Sequence, residues 1–527
     1  MGFMSSAFRY TLIVSMGGFI FGFDASVISG AVGFVTSEFN LSTWQQGFVV
    51  SSPTLGGILA TLTAGALSDS IGRRKVLITI AFLYFISAIA SAFADSFVLL
   101  VAARIIGGMA FCSLMIAPMY IAEISRPQDR GKMVSVNQLN IVLGFSAAYF
   151  ANYLFLQASG SGNEIVKFLQ IDVYTWRWML GIEAIPALLY LILLFTIPES
   201  PRWLVLKNRD KEAAEVLKKL IPEQEIAAQM TVIKTSIGDH QIPLLPRLKM
   251  LFSPALKLAL IIGLVVGIAQ QVTGVNAIYF YAPTIFEQSG VGTNAAFMQA
   301  IWIGIINVIF TLVAMALIDK LGRKPLLVMG LAGVVISMSV CAYGFKQATY
   351  ELTAETVTQM TGDIEVEKLS PLLGVTFDND LDYKNALREA IGDTSFNANQ
   401  ATLIQAAANM NAVLIMIGIL GFVASFAVSL GPVMWVLFSE IFPNQVRGVA
   451  ISFVGIINSI ISYTVQLVFP WELANFGNAL TFFIYGMFAL VGLGLVMWLL
   501  PETKGKTLEE LETQLSGGRP ESALGNS

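Results

Sequence analysis

Asp24 and Arg104 are the residues of this chain best placed to do chemistry, because each stands alone in a long apolar stretch: Phe21-Gly22-Phe23-Asp24, and Val101-Ala-Ala-Arg104-Ile-Ile-Gly107-Gly108. A lone charge at mid-membrane costs about 2.5–3.5 kcal/mol on insertion scales, so an acid and a base in one set of spans will pair or neutralise. Desolvation favours the neutral acid and a nearby guanidinium favours the anion, so a change in their separation would load and release a proton. A static ion pair is the plainer alternative. A second set is neutral: Gln138, Gln270, Gln271, Asn276, Asn307 and Asn458 all fall in apolar runs. Amides both donate and accept hydrogen bonds. One alone would be inter-helix glue worth about 0.6–2 kcal/mol; six in so apolar a chain point to a shared polar cavity. Trp435 follows Gly431-Pro432, a pair expected to interrupt a helix and hinge its outer half.

The elements that must position these residues are membrane helices. Hydrophobic residues make up 55% of the 527 and charged residues 13%, about half the roughly 25% charge of a soluble domain. Spans of about 20 apolar residues can be drawn near 11–30, 47–67, 76–94, 97–121, 134–156 and 177–197, then near 255–281, 297–318, 326–346, 406–438, 448–470 and 477–499. The expected fold is an all-α integral membrane protein of 12 transmembrane helices in two pseudo-symmetric six-helix bundles with short cytoplasmic helices. A first bundle covers 1–198, a cytoplasmic helical linker 199–253, a second bundle 254–500, and a cytoplasmic tail 501–527. Arg and Lys gather in the loops on one side, which places both termini in the cytoplasm by the positive-inside rule. A net charge of −4 gives no case for nucleic acid. Cys112 and Cys341 fall in apolar segments and His240 stands alone, so no metal site or cofactor is expected. Without a nucleotide loop or a nucleophile–base pair, an enzyme is disfavoured.

The bundles repeat each other. Asp69-Ser-Ile-Gly72-Arg73-Arg74 returns as Asp319-Lys-Leu-Gly322-Arg323-Lys324; Glu123 with Arg130-Gly131 returns as Glu440 with Arg447-Gly448; and Pro198-Glu199-Ser200-Pro201-Arg202 returns as Pro501-Glu502-Thr503-Lys504. Asp69, Arg73, Arg74, Glu123, Arg130, Glu199 and Arg202, with Asp319, Arg323, Glu440 and Arg447, are read as salt bridges between the bundles that close an inner gate. The alternative is plain topology, with bases fixing orientation and acids capping helices. The second half carries an acidic extracellular insertion at about 347–405, read as a loop with a helix near 381–391 and disorder elsewhere.

Over nearly its whole length the chain resembles the sugar porter family of the major facilitator superfamily. The resemblance rests on the repeated motifs with Gln270-Gln271-Val-Thr-Gly274-Val-Asn276 and Gly431-Pro432-Val-Met-Trp435. It is similar to the bacterial xylose–proton symporter and to hexose and inositol symporters. The resemblance implies the major facilitator fold and an alternating-access carrier of a small sugar and a proton: a multi-pass, monomeric protein of the plasma (inner) membrane. It implies that Asp24 carries the proton beside Arg104. It also implies that Phe21, Gln138, Gln270, Gln271, Asn276, Asn307, Trp435 and Asn458 contact sugar. The chain departs from its relatives at Phe280, Ser459 and Ala427. An uncoupled facilitator, an inositol or polyol symporter and a sugar receptor stay open.

Overall fold

The computed structural model describes residues 2–126, 129–238, 244–358, 366–443, 445–506 and 508–515; His240 lies outside them. Among them, twelve helices are long and apolar enough to cross a bilayer. Spans one to six are Ser6–Glu38, Thr43–Ile71, Arg73–Ala92, Phe97–Ile124, Arg130–Ser159 and Thr175–Leu194. Spans seven to twelve are Lys257–Phe280, Thr293–Leu321, Arg323–Lys346, Ala412–Ile441, Arg447–Asn475 and Gly477–Leu499. In hydrocarbon every backbone group must find its partner inside the segment, which is why helices carry the crossing.

Two spans are jointed. The seventh breaks at Gly274 (φ +89°) and is followed by the half-helix Ala282–Gln288. The tenth breaks at Ser429 (φ −127°, ψ −93°), not at the expected Gly431-Pro432. Pro432 is instead in the first turn of the Leu430–Ile441 segment, where its missing N–H leaves nothing unpaired.

The chain forms two compact units, one of Met1–Ile28 with Ser52–Ile242 and one of Ser29–Ser51 with Pro243–Ser527. In the first, spans one and five cross backbone against backbone. A Cβ on Gly144 would overlap the Phe19 carbonyl oxygen, and one on Gly22 would overlap that of Ile141. Small residues allow this approach where no water drives helices together. Gly144→Leu must therefore separate the helices; we expect a loss of about 3 kcal/mol or more, read as a lower Tm and poor recovery of folded protein. In the second unit, Trp44 lies against Trp471 with ring centroids 5.9 Å apart. Tyr120, Tyr190 and Ile116 are among the residues of the first unit's core.

The segment after span six folds into the short helices Pro201–Leu206, Asp210–Leu220, Glu223–Gly238 and Leu244–Leu251. On the second of these Ala213, Leu217 and Leu220 are buried while the charged residues point outward, the amphipathic arrangement of a helix lying on a larger body.

The acidic insertion differs from the loop expected of it. Beside the helix Asp380–Ile391 it holds a second helix, Asp393–Ala407, and a small antiparallel sheet. In that sheet β1 (Thr349–Glu351) lies between β2 (Thr376–Phe377) and β3 (Ala408–Asn409). Tyr350, Tyr383, Leu387, Phe396, Leu403 and Ile404 form a core of its own. The Tyr350 and Tyr383 rings stack at 5.2 Å, and the Tyr383 hydroxyl donates to the Leu403 carbonyl at 2.7 Å; burial pushes both phenols well up. Asp380 accepts the backbone N–H of Asn478 at 3.2 Å, which seats the module on the start of span twelve, where the helix dipole favours an anion. The apolar residues that build this core are spread over some fifty positions, so no local pattern announces them.

Candidate functional site

Asp24 on span one and Arg104 on span four meet, both side chains only 2% exposed. Arg104 Nη1 donates to Asp24 Oδ1, and Nη2 donates to the Asp24 backbone carbonyl at 3.1 Å. Gly107 makes the space: a Cβ there would overlap Ser87 Oγ and touch Asp24 Oδ2 at 3.5 Å. A third ionisable group, which the sequence reading overlooked, completes the site. Glu183 on span six is 3% exposed and interacts electrostatically with both Asp24 and Arg104. The signal for it was the one that marked Asp24, a lone acid in an apolar run, Gly181-Ile-Glu183-Ala-Ile-Pro186. Tyr84, fully buried and hydrogen-bonded to Ser113 at 3.2 Å, lies close to both acids. Two carboxyls beside one guanidinium leave one negative charge uncompensated, and one proton on the pair removes it. The arrangement gathers two carboxyls and one guanidinium in a dry interior.

In the second unit the amides of spans seven and eleven join in one network. Gln271 Nε2 donates to Gln270 Oε1 at 3.1 Å and to Asn458 Oδ1 at 3.2 Å. Asn458 Nδ2 donates to Gln270 Oε1 at 2.9 Å and to the Gly267 carbonyl at 2.7 Å. Asn276 Nδ2 donates to Gln271 Oε1 at 2.7 Å and to Ser462 Oγ at 2.6 Å. Gln466, whose amide donates to Ser462 at 2.8 Å, and Ser462 itself extend the set beyond the amides singled out from sequence. The Gly274 break brings Asn276 back onto the side chain of Gln271. Asn307 is buried on span eight at 5% exposure, but it makes no hydrogen bond to the network. Trp435 is 47% exposed and packs edge-on against Phe438. In the first unit Phe21 is T-shaped to Phe111 at 4.7 Å, and Gln138 on span five is half-buried.

The duplicated charges build the same device twice, each time within its own unit. In the first unit Arg73 pairs with Asp69 at 2.8 Å and with Glu123 at 3.1 Å. Glu123 also accepts from Ser200, and Glu199 accepts the N–H of Arg74 at 3.1 Å. In the second, Arg323 pairs with Asp319 at 3.2 Å and with Glu440 at 2.7 Å. Glu440 accepts from Thr503, and Glu502 accepts the N–H groups of Arg323 and Lys324. The glycine before each arginine, Gly72 at φ +101° and Gly322 at φ +98°, holds a conformation that costs other residues free energy. These pairs differ from the expected bridges between bundles. Each arginine is within side-chain reach of an acid at the end of a helix in its own bundle. Arg74 reaches the Leu194 and Phe195 carbonyls at the end of span six, and Arg447 Nε donates to the Phe442 carbonyl at 3.1 Å. Arg130 is exposed, and Arg202 follows Pro201 in the first turn of its helix. The Arg73–Glu123 side chains are 7% and 8% exposed against 12% and 21% for Arg323–Glu440. Removing one partner of a buried pair costs about 3–5 kcal/mol, and exposed pairs cost far less. Arg73→Leu is therefore expected to lower Tm more than Arg323→Leu in the purified protein.

Compared with known proteins, the chain matches the sugar (and other) transporter family over residues 10–361 and 394–515; the gap falls inside the inserted module. It is 34% identical to the arabinose-proton symporter of Bacillus subtilis, over 96% of each chain. It is also 34% identical to the D-xylose-proton symporter of Escherichia coli, over 96% of this chain and 95% of that one. Its fold is similar to the inward open conformation of the xylose transporter XylE from E. coli, with a TM-score of 0.73, 31% identity and coverage of 96% and 99%. XylE in a partially occluded inward open conformation gives a TM-score of 0.72 at 30% identity, over 95% of this chain and all of that one. The family's members are membrane transporters rather than enzymes. With twelve apolar helices, two repeated charge devices and this likeness along nearly its full length, the chain is a multi-pass membrane transporter of the major facilitator fold and belongs to the sugar (and other) transporter family.

Proposed function

We propose that this protein is a proton-coupled symporter of a small sugar, working by alternating access in the plasma (inner) membrane as a monomer with both termini cytoplasmic. The observation that carries the reading is the buried Asp24–Arg104–Glu183 site, an acid pair that is one charge short of neutrality beside a single guanidinium. Asp24 exchanges the proton and Arg104 holds the anion when the proton leaves, with the buried Glu183 carboxyl beside them. Gln270, Gln271, Asn276 and Asn458, with Asn307, Trp435, Gln138 and Phe21, bind the sugar. The relatives named as arabinose-proton and D-xylose-proton symporters support this substrate class. The duplicated ion clusters hold the cytoplasmic ends of each bundle as rigid blocks, so that rocking moves each as one body.

The test is uptake into proteoliposomes of purified protein, with labelled D-xylose, L-arabinose, D-glucose and myo-inositol, with and without an imposed proton gradient. Accumulation of one of these above its outside concentration, only when the outside is acid, is the expected result. Entry that merely equilibrates, indifferent to the gradient, would make the protein a passive facilitator.

A further inference from the structure

A cavity of about 870 Å³ opens on the face of the second unit that carries the folded insertion, and every residue lining it belongs to that unit. Its walls are the outer ends of spans one and two, the half-helix Ala282–Gln288, the outer end of span eleven, and the two helices of the inserted module. The size is in the range of small-molecule sites, roughly 300–1,000 Å³. Eight amide side chains line it, among them Gln46, Asn385, Asn397 and Gln400. Gln45, Gln288 and Asn475 bond to the Ser42 N–H, the Asn478 amide and the Trp471 carbonyl, whereas those four make no side-chain hydrogen bond among the described residues. In the inner network, by contrast, the amides of Gln271 and Asn458 are bonded to one another.

The cations on this wall are already committed. Lys384 is paired with Asp380 at 2.7 Å. Arg388 faces Asp393 at 3.6 Å and lies over the Phe396 ring at 4.7 Å. Glu287 closes the same wall near the end of the half-helix, where it is hydrogen-bonded with Thr293. Cations and anions lie side by side on this wall, so neither sign of ligand is favoured, and the free amide donors and acceptors suit hydroxyl groups. Phe34 adds an apolar face on the same lining.

We propose that this cavity is a second, outer binding site for an uncharged polyhydroxy solute, built jointly by the inserted module and the outer ends of the spans. The inference deepens the reading of the protein as a sugar symporter and rests on it, and on the inserted module facing outward. Tyr281 and Pro283, at the joint of the half-helix, line the same space. A solute held there therefore sits against the half-helix that follows the Gly274 break, and capture at the mouth precedes passage inward.

The experiment is equilibrium binding of the labelled sugar that the uptake panel selects, to full-length protein in nanodiscs. Wild type is compared with Asn397→Leu/Gln400→Leu, with Asn385→Leu, whose side chain is exposed, and with Gln271→Leu in the inner network. The expected result is two classes of site in the wild type, with the weaker one lost in the two outer variants and kept in Gln271→Leu. Uptake by the outer variants should show KM raised about three- to tenfold, as for one or two lost hydrogen bonds, with Vmax kept. A single site that Gln271→Leu abolishes, with outer variants like wild type, overturns the outer site and leaves the symporter reading intact. Absence of binding and uptake for every sugar in the wild type overturns both.

Discussion

Asp24→Asn is expected to abolish accumulation while leaving sugar exchange in place. One proton carried with each sugar across a pH step of one unit is worth about 1.4 kcal/mol, which supports roughly tenfold accumulation. Asparagine keeps the shape and the hydrogen-bonding oxygen for Arg104 but holds no exchangeable proton, so the internal-to-external ratio should fall from about ten to one. Arg104 keeps a counter-charge in this variant because Glu183 is beside it. The protein should therefore fold, and counterflow of labelled sugar against unlabelled sugar should survive. Arg104→Leu is the informative contrast. It leaves two buried carboxyls without a guanidinium, which is accommodated only when both are protonated, so transport should be lost at every pH tested. Accumulation by Asp24→Asn at the wild-type ratio would remove the proton from this site altogether.

The second large effect is expected in the amide network. Gln271 links Gln270, Asn458 and Asn276. Gln271→Leu thus removes a binding group and leaves Asn458 Oδ1 without its donor, while Gln270 and Asn276 each keep one bond, to Asn458 and Ser462. A buried orphan costs about 1–3 kcal/mol, so KM for sugar should rise roughly ten- to a hundredfold. Asn458→Leu should behave similarly, since its amide also holds the Gly267 carbonyl. Asn307→Leu, outside the network, should cost less. Thermal melting of each variant separates the two roles of such residues. Inter-helix glue in a membrane contributes about 0.6–2 kcal/mol, so a variant that lost only glue would melt earlier and keep its KM.

How much of this was visible beforehand depends on the range of the interaction concerned. Asp24 and Arg104 could be marked because an isolated charge in an apolar run is a local anomaly. Glu183 carried the same anomaly and was passed over, although it decides the charge count of the site. Gln270, Gln271 and Asn276 were legible as one cluster because a single motif holds them. Ser462 and Gln466 join only because span eleven lies against the broken span seven. The ion clusters were legible as repeats, but not their partners: Arg73 turns to Glu123 and Arg323 to Glu440, each within its own unit.

The sequence by itself determined the twelve spans, the two-fold repeat and the residue types of the site. Hydrocarbon forces each segment to satisfy its own backbone and taxes each stray charge, and both constraints act along the chain. Only the tertiary structure decided that three charges from spans one, four and six share one site, that the tenth helix breaks at Ser429, and that the acidic insertion folds around Tyr350, Tyr383 and Phe396. Those outcomes depend on which distant side chains exclude water together, and spacing along a chain carries no record of that.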